Sequence, residues 1–160
     1  MLDKLEAELP VDRSLIAVGG ISNGAMMAYR FGAERAERVA AIASVSGTIG
    51  GQAEGQAAYV IPMPKVPVAV VAFHGTNDRY GLGRLTKHGG CRTGSDVWLY
   101  TIEGGEHSWP GGHLQQPSLE GTLDALGLEI NTEISASELM WSFFAAHRRT
   151  PISTPIRPEG

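Results

Sequence analysis

The chain has one cysteine, Cys91, in 160 residues, so no disulfide can form within it. It has little net charge. Thirteen Lys and Arg against 17 Asp and Glu leave −4, and a nucleic-acid partner is not expected because phosphate binding needs a basic surface. No apolar run approaches the roughly 20 residues that span a bilayer, so no membrane partner is expected. The opening MLDKLEAELPVDRS lacks the basic-then-apolar layout of a secretory signal, and compartment is left open. No internal repeat or long low-complexity tract is present.

What is there is ordinary in bulk and uneven in detail. The 42% hydrophobic and 19% charged content suits one globular domain, here residues 1–149, long enough to bury a core. Residues 150–160, with three prolines, read as a loosely ordered tail. Residues 2–9 (LDKLEAEL) read as a short helix with Leu2, Leu5 and Leu9 on one face, ended by Pro10. Strands buried on both faces are predicted near 14–19 (SLIAVG), 40–45 (AAIASV) and 67–73, and a fourth near 96–102. Residues 23–32 suit a helix, as do 135–147, where Ser135 and Glu138 form a capping box and Ala136, Leu139, Met140, Phe143, Phe144 and His147 share a face. Residues 46–66, rich in Gly and Pro, read as loop. Strands alternating with helices predict an α/β fold with a mostly parallel sheet, whose ligands sit beyond the carboxyl ends of the strands.

The residues that carry chemistry follow strands. Directly after the first comes Gly20-Ile21-Ser22-Asn23-Gly24, a G-x-S-x-G turn that lifts a serine clear of a sheet and begins a helix behind it. Ser22 is the expected nucleophile, and the N–H of Asn23 the expected oxyanion donor. A serine needs a base, and the base an orienting acid, in the chain order Ser, Asp, His. Asp78, in HGTND (74–78) after the third strand, is the expected acid. Asp96, at the start of a strand, would sit at the opposite edge, and Asp124 lies in a loop. His107, among glycines in EGGEHSWPGG (103–112) after the fourth strand, is the expected base. His74 is its rival, read as hydrogen-bonded locally. Trp109 either walls a substrate pocket or packs beneath the loop.

These segments together resemble the polyhydroxybutyrate depolymerase-like esterases, which include feruloyl esterases. The resemblance rests on PVDRSLIAVGGISNGAMMAYR (10–30), HGTND (74–78), LYTIEGGEHSWPGG (99–112) and ISASELMWSFFAAH (134–147). It implies an α/β-hydrolase fold and a serine esterase with Ser22 as nucleophile, Asp78 as acid and His107 as base. The implied substrates are feruloyl, acetyl, short-chain or polyester-type esters, from a small molecule or a polymer. No metal or organic cofactor is implied, and the parent family is a secreted one. Two segments depart from the family pattern. The strands expected upstream of the nucleophile, with an HG-type loop that gives a second oxyanion donor, are not in this sequence. The stretch 79–95 is short and helix-poor. The chain is therefore expected to correspond to the carboxyl-terminal part of such a hydrolase, or to a reduced one, with an exposed sheet edge that invites homo-oligomers.

Three other readings compete. One is a hydrolase-fold domain without independent catalysis. Another is a metal site from His88, Cys91, His107 and His113, built on the His88-x-x-Cys91 spacing, with no second cysteine or acidic ligand motif beside it. The third, a dinucleotide site at Gly19-Gly20, lacks the full G-x-G-x-x-G spacing.

Overall fold

The computed structural model describes residues 1–51, 59–79, 95–112 and 129–149. Asp124, His88, Cys91, His113 and the tail from 150 lie outside them.

Four strands form a parallel sheet: β1 (Ala17–Ile21), β2 (Ala41–Val45), β5 (Ala69–Gly75) and β6 (Val97–Ile102), in the order β1-β2-β5-β6. Between β2 and β5, the loop expected over 46–66 contains a small antiparallel pair, β3 (Gly50–Gly51) and β4 (Tyr59–Val60). Periodicity has no purchase on two-residue strands, one of them all glycine.

The β2 strand is buried along its whole length, as its unbroken small and apolar sequence requires of a strand covered on both faces. Its side chains alternate between two clusters. Ala41, Ala43 and Val45 join Val71, Phe73, Met140 and Phe143 on one face. Ile42 joins Ala36, Val39 and Val68 on the other, with Val18, Tyr29 and Val70 against them. Helix α2 (Asn23–Glu34) thus covers one face and the closing helix α3 (Ala136–Ala146) the other. Burial pushes the Tyr29 phenol above its ordinary ionisation range, and a hydrogen bond with Ser44 of β2 pulls it back.

Helix α3 begins as its sequence requires: the Ser135 hydroxyl accepts the Glu138 N–H at 3.3 Å. It ends on His147, whose ring stacks on Phe143 at 3.9 Å between centroids. The two ring nitrogens of His147 reach the Phe143 carbonyl at 2.7 Å and Asp96 at 2.9 Å. Asp96 therefore fastens α3 at the amino end of β6, the opposite edge from the other candidate residues, as its place in the chain implied.

Two expectations need correction. The first strand begins at Ala17, not Ser14, because Asp12 accepts both the N–H (2.9 Å) and the hydroxyl (2.7 Å) of Ser14 and turns the chain there. The leucine face of α1 (Leu2–Glu8) is not buried. The helix is tied by charge instead: Arg38 bridges Asp3 and Glu6, and Arg13 reaches Glu6 at 3.0 Å. The hydrogen bond from Arg38 holds the exposed Asp3 carboxyl below its usual range.

Among the described residues β1 pairs on one side only. Its outer edge presents unpaired N–H and C=O groups beside half-buried Ile16 and Val18, which is the arrangement that drives edge-to-edge association. The isolated chain is expected to self-associate, with a light-scattering mass that rises with concentration. A constant monomer mass over a hundredfold range of concentration would refute this.

Candidate active site

Ser22 stands at the corner between β1 and α2 with φ 54° and ψ −119°. These are the angles of the first central residue of a type II′ turn, a position that favours glycine. Its main chain is pinned on both sides. The N–H donates to the Val45 carbonyl at 2.9 Å, and the carbonyl accepts the Met26 N–H at 3.0 Å. Serine at a helix start ordinarily caps it, yet the Ser22 side chain makes no capping bond. The hydroxyl is therefore not engaged in capping the helix it begins. Gly20 makes the corner possible, since a Cβ there would lie 2.6 Å from the backbone carbon of Gly24.

The loops after β5 and β6 are built as one unit. Thr76 N–H donates to Ile102 and Asn77 N–H to Gly105, each at 2.9 Å, while Gly104 N–H donates to the Thr76 hydroxyl at 2.8 Å. Gly75 lies so close beneath that a Cβ on it would come within 2.1 Å of the Gly105 carbonyl oxygen. This unit carries Asp78 and His107 into contact. His107 Nδ1 is 2.9 Å from Asp78 Oδ1 and 3.1 Å from Oδ2. The Asp78 side chain is 0% exposed and that of His107 16%. A carboxylate accepts only, so Nδ1 carries the proton on this bond, and in the neutral ring Nε2 is left as a base.

Ser22, Asp78 and His107 all follow the carboxyl ends of parallel strands, so one edge of the sheet holds all three. Three strand spacings, about 14 Å, separate the ends of β1 and β6. The loop after β6 turns back at once, with the Gly105 N–H donating to Ile102 at 3.1 Å, and carries the imidazole to Asp78, which follows β5. Direct hydrogen bonding joins Asp78 to His107; among the described residues it does not extend to the Ser22 hydroxyl.

No family model matches the chain, and no curated protein matches it.

The remaining candidates divide. The Trp109 indole N–H donates to the Ser137 hydroxyl at 3.1 Å and its ring packs on the cluster under α3, the arrangement in which the indole anchors its loop from beneath. Ala136 N–H to Pro110 (2.9 Å) and Gly111 N–H to Asn131 (2.7 Å) fasten the same loop. The local hydrogen bond expected of His74 is not found at Nδ1, which is buried without a partner among the described residues. Parallel pairing sets it opposite Thr101 in β6. Among the described residues no group of three His, Cys, Asp or Glu could hold a metal. A cavity of about 290 Å³, lined by Arg13, Arg38 and Arg149 with Glu6 and Glu37, adjoins Ile16 and so lies at the amino end of β1, away from Ser22.

One set of neighbours was not foreseen. Met26, a turn beyond Ser22, meets the Tyr59 hydroxyl through its sulfur, and Thr48 joins them, 3.6 Å from the sulfur and 3.0 Å from the phenol oxygen. Only the position of Met26, four residues after the serine on a helix, was readable beforehand.

The Gly75–Gly105 contact carries a prediction. Gly75→Ala should force the two loops apart and cost about 1–3 kcal/mol of stability, the usual penalty of overpacking. Urea denaturation measures that loss. A fully stable variant would show that the loops are not held at this distance.

Proposed function

We propose that the chain is a serine carboxylic ester hydrolase of the α/β-hydrolase type, acting through Ser22, His107 and Asp78 by way of an acyl-enzyme. The observation that carries this reading is the fully buried Asp78 carboxylate on His107 Nδ1, at the sheet edge where Ser22 occupies a strained corner without capping its helix. A buried carboxylate is costly unless it is paired. Here its partner is the ring whose other nitrogen is left to act as a base.

In this mechanism His107 Nε2 takes the proton of Ser22 as Oγ attacks the ester carbonyl carbon. Negative charge moves to the carbonyl oxygen, facing the Asn23 N–H at the head of α2, where helix N–H groups have no intrahelical acceptor. Asp78 stabilises the imidazolium. His107 then gives its proton to the departing alcohol; a water molecule, deprotonated by the same nitrogen, attacks the acyl carbon, and the proton passes to Ser22 Oγ as the acyl–Oγ bond breaks and the acid leaves. The resemblance to polyhydroxybutyrate depolymerase-like esterases supports feruloyl, acetyl, short-chain or polyester-type esters as substrates.

The open edge of β1 favours a second reading, a hydrolase-fold domain without independent catalysis. A fluorophosphonate tests both. Under the proposal it forms an adduct that peptide mass spectrometry maps to Ser22, and labelling collapses in His107→Ala. Absence of labelling favours the second reading, and an adduct on a different serine removes the assignment.

A further inference from the structure

The contact of Met26, Thr48 and Tyr59 belongs to the nucleophile's surroundings by construction. Met26 donates its N–H to the Ser22 carbonyl at 3.0 Å, which places it one turn along α2. Helical side chains lean toward the amino end, so the thioether lies over the first turn of α2, the turn that Ser22 begins. Thr48 lies in the loop after the neighbouring strand β2, three residues beyond Val45, whose carbonyl holds the Ser22 N–H at 2.9 Å. Tyr59, in β4, reaches the same sulfur. Three separate segments thus converge on the first turn of α2.

The chemistry they present is apolar. The Tyr59 and Thr48 hydroxyls lie 3.0 Å apart, and both face the Met26 sulfur, so their polar atoms serve one another. What remains for a ligand is the phenol ring, the thioether and the threonine methyl. Thioethers and aromatic rings adapt to irregular apolar ligands. At the adjoining positions Ile49 is 52%, Tyr59 39% and Val60 80% exposed. Large apolar groups held at solvent beside a candidate nucleophile mark a binding surface more than a core.

We propose that Met26 and Tyr59 form the wall of the substrate pocket and select esters whose apolar group is several carbons long over acetyl esters. This rests on the serine esterase reading. Each methylene buried on the wall raises kcat/KM about fourfold, the rate equivalent of its transfer free energy.

The test compares wild type, Tyr59→Ala and Tyr59→Phe on two matched series. One is p-nitrophenyl esters from acetyl to octanoyl, and the other is acetate esters of alcohols of rising length. Methylphosphonate labelling of Ser22 is followed in parallel. The wild type should favour hexanoyl over acetyl, or hexyl over methyl, by at least tenfold, and the responding series identifies which side of the ester meets the wall. Tyr59→Ala should bring that ratio near one, while Tyr59→Phe, which keeps the ring, should preserve most of it. A wild-type ratio near one in both series overturns the proposal, as does a ratio unchanged in Tyr59→Ala. If Ser22 takes up methylphosphonate in those cases, the esterase reading survives and only the wall is lost. If Ser22 takes up none, both fall together.

Discussion

Ser22→Ala should lower ester hydrolysis by about 10⁶-fold, to a residual rate that His107→Ala also reaches and the double variant does not pass below. The size of the loss and its lack of additivity have one cause. In the proposed mechanism the nucleophile and base act as a unit, and removing either forces the reaction onto water without covalent help. The pattern separates catalysis from collapse of the fold. Ser22 sits in a corner whose main-chain bonds to Val45 and Met26 do not involve its hydroxyl, so the alanine variant should keep the native circular dichroism. Steady-state kinetics on an activated ester, with a detection floor near the uncatalysed rate, measures it. Full activity in Ser22→Ala would defeat the nucleophile assignment.

Asp78→Asn should cost about 10⁴-fold in kcat while the protein stays folded. The carboxylate can only accept, so it fixes the proton on His107 Nδ1. An amide is nearly the same shape but carries a donor. Turned toward Nδ1, that donor selects the opposite tautomer, with the proton on Nε2, and a protonated Nε2 cannot receive the proton of Ser22. Since the side chain is 0% exposed, no water replaces the lost acceptor, and the isosteric amide avoids a cavity. Thermal unfolding near that of the wild type, together with the kinetic loss, would identify an electrostatic and tautomeric role. A variant with undiminished kcat would remove Asp78 from the mechanism.

Much of this site was legible because sheet topology does the placing. Three residue types in the order Ser, Asp, His, each after a buried strand, reach one edge if the strands are parallel. The runs at Ala41–Val45 and Ala69–Gly75 are too apolar to be anything but covered on both faces. The contact between Asp78 and His107 follows from adjacency of β5 and β6, which the chain order only suggested. What stayed hidden depends on distance along the chain. Tyr59 meets Met26 across 33 residues, and neither carries a local pattern that announces the other. Arg38 binding Asp3 and Glu6 was hidden in the same way, so the three leucines of α1 suggested a buried face that the ion pairs replace. The early start assigned to β1 has a different origin. Leu15 and Ile16 look like strand, and the bonds from Ser14 to Asp12 that turn the chain involve small polar groups whose pattern is common in loops.

If the chain acts as proposed, the corner at Ser22 also sets its fitness for activity against its fitness for folding. A side chain held at φ 54° and ψ −119° carries about 1–3 kcal/mol of strain, of which glycine would relieve most. Glycine would return about 0.4–1 kcal/mol through the greater freedom of the unfolded chain. On balance Ser22→Gly should be more stable than the parent, by about 1 kcal/mol in chemical denaturation, and should hydrolyse nothing. A library sorted only for expression or thermal tolerance would therefore enrich the substitution that disarms the molecule. Under the proposed mechanism, a serine at this corner is kept by screening for turnover and lost by screening for stability.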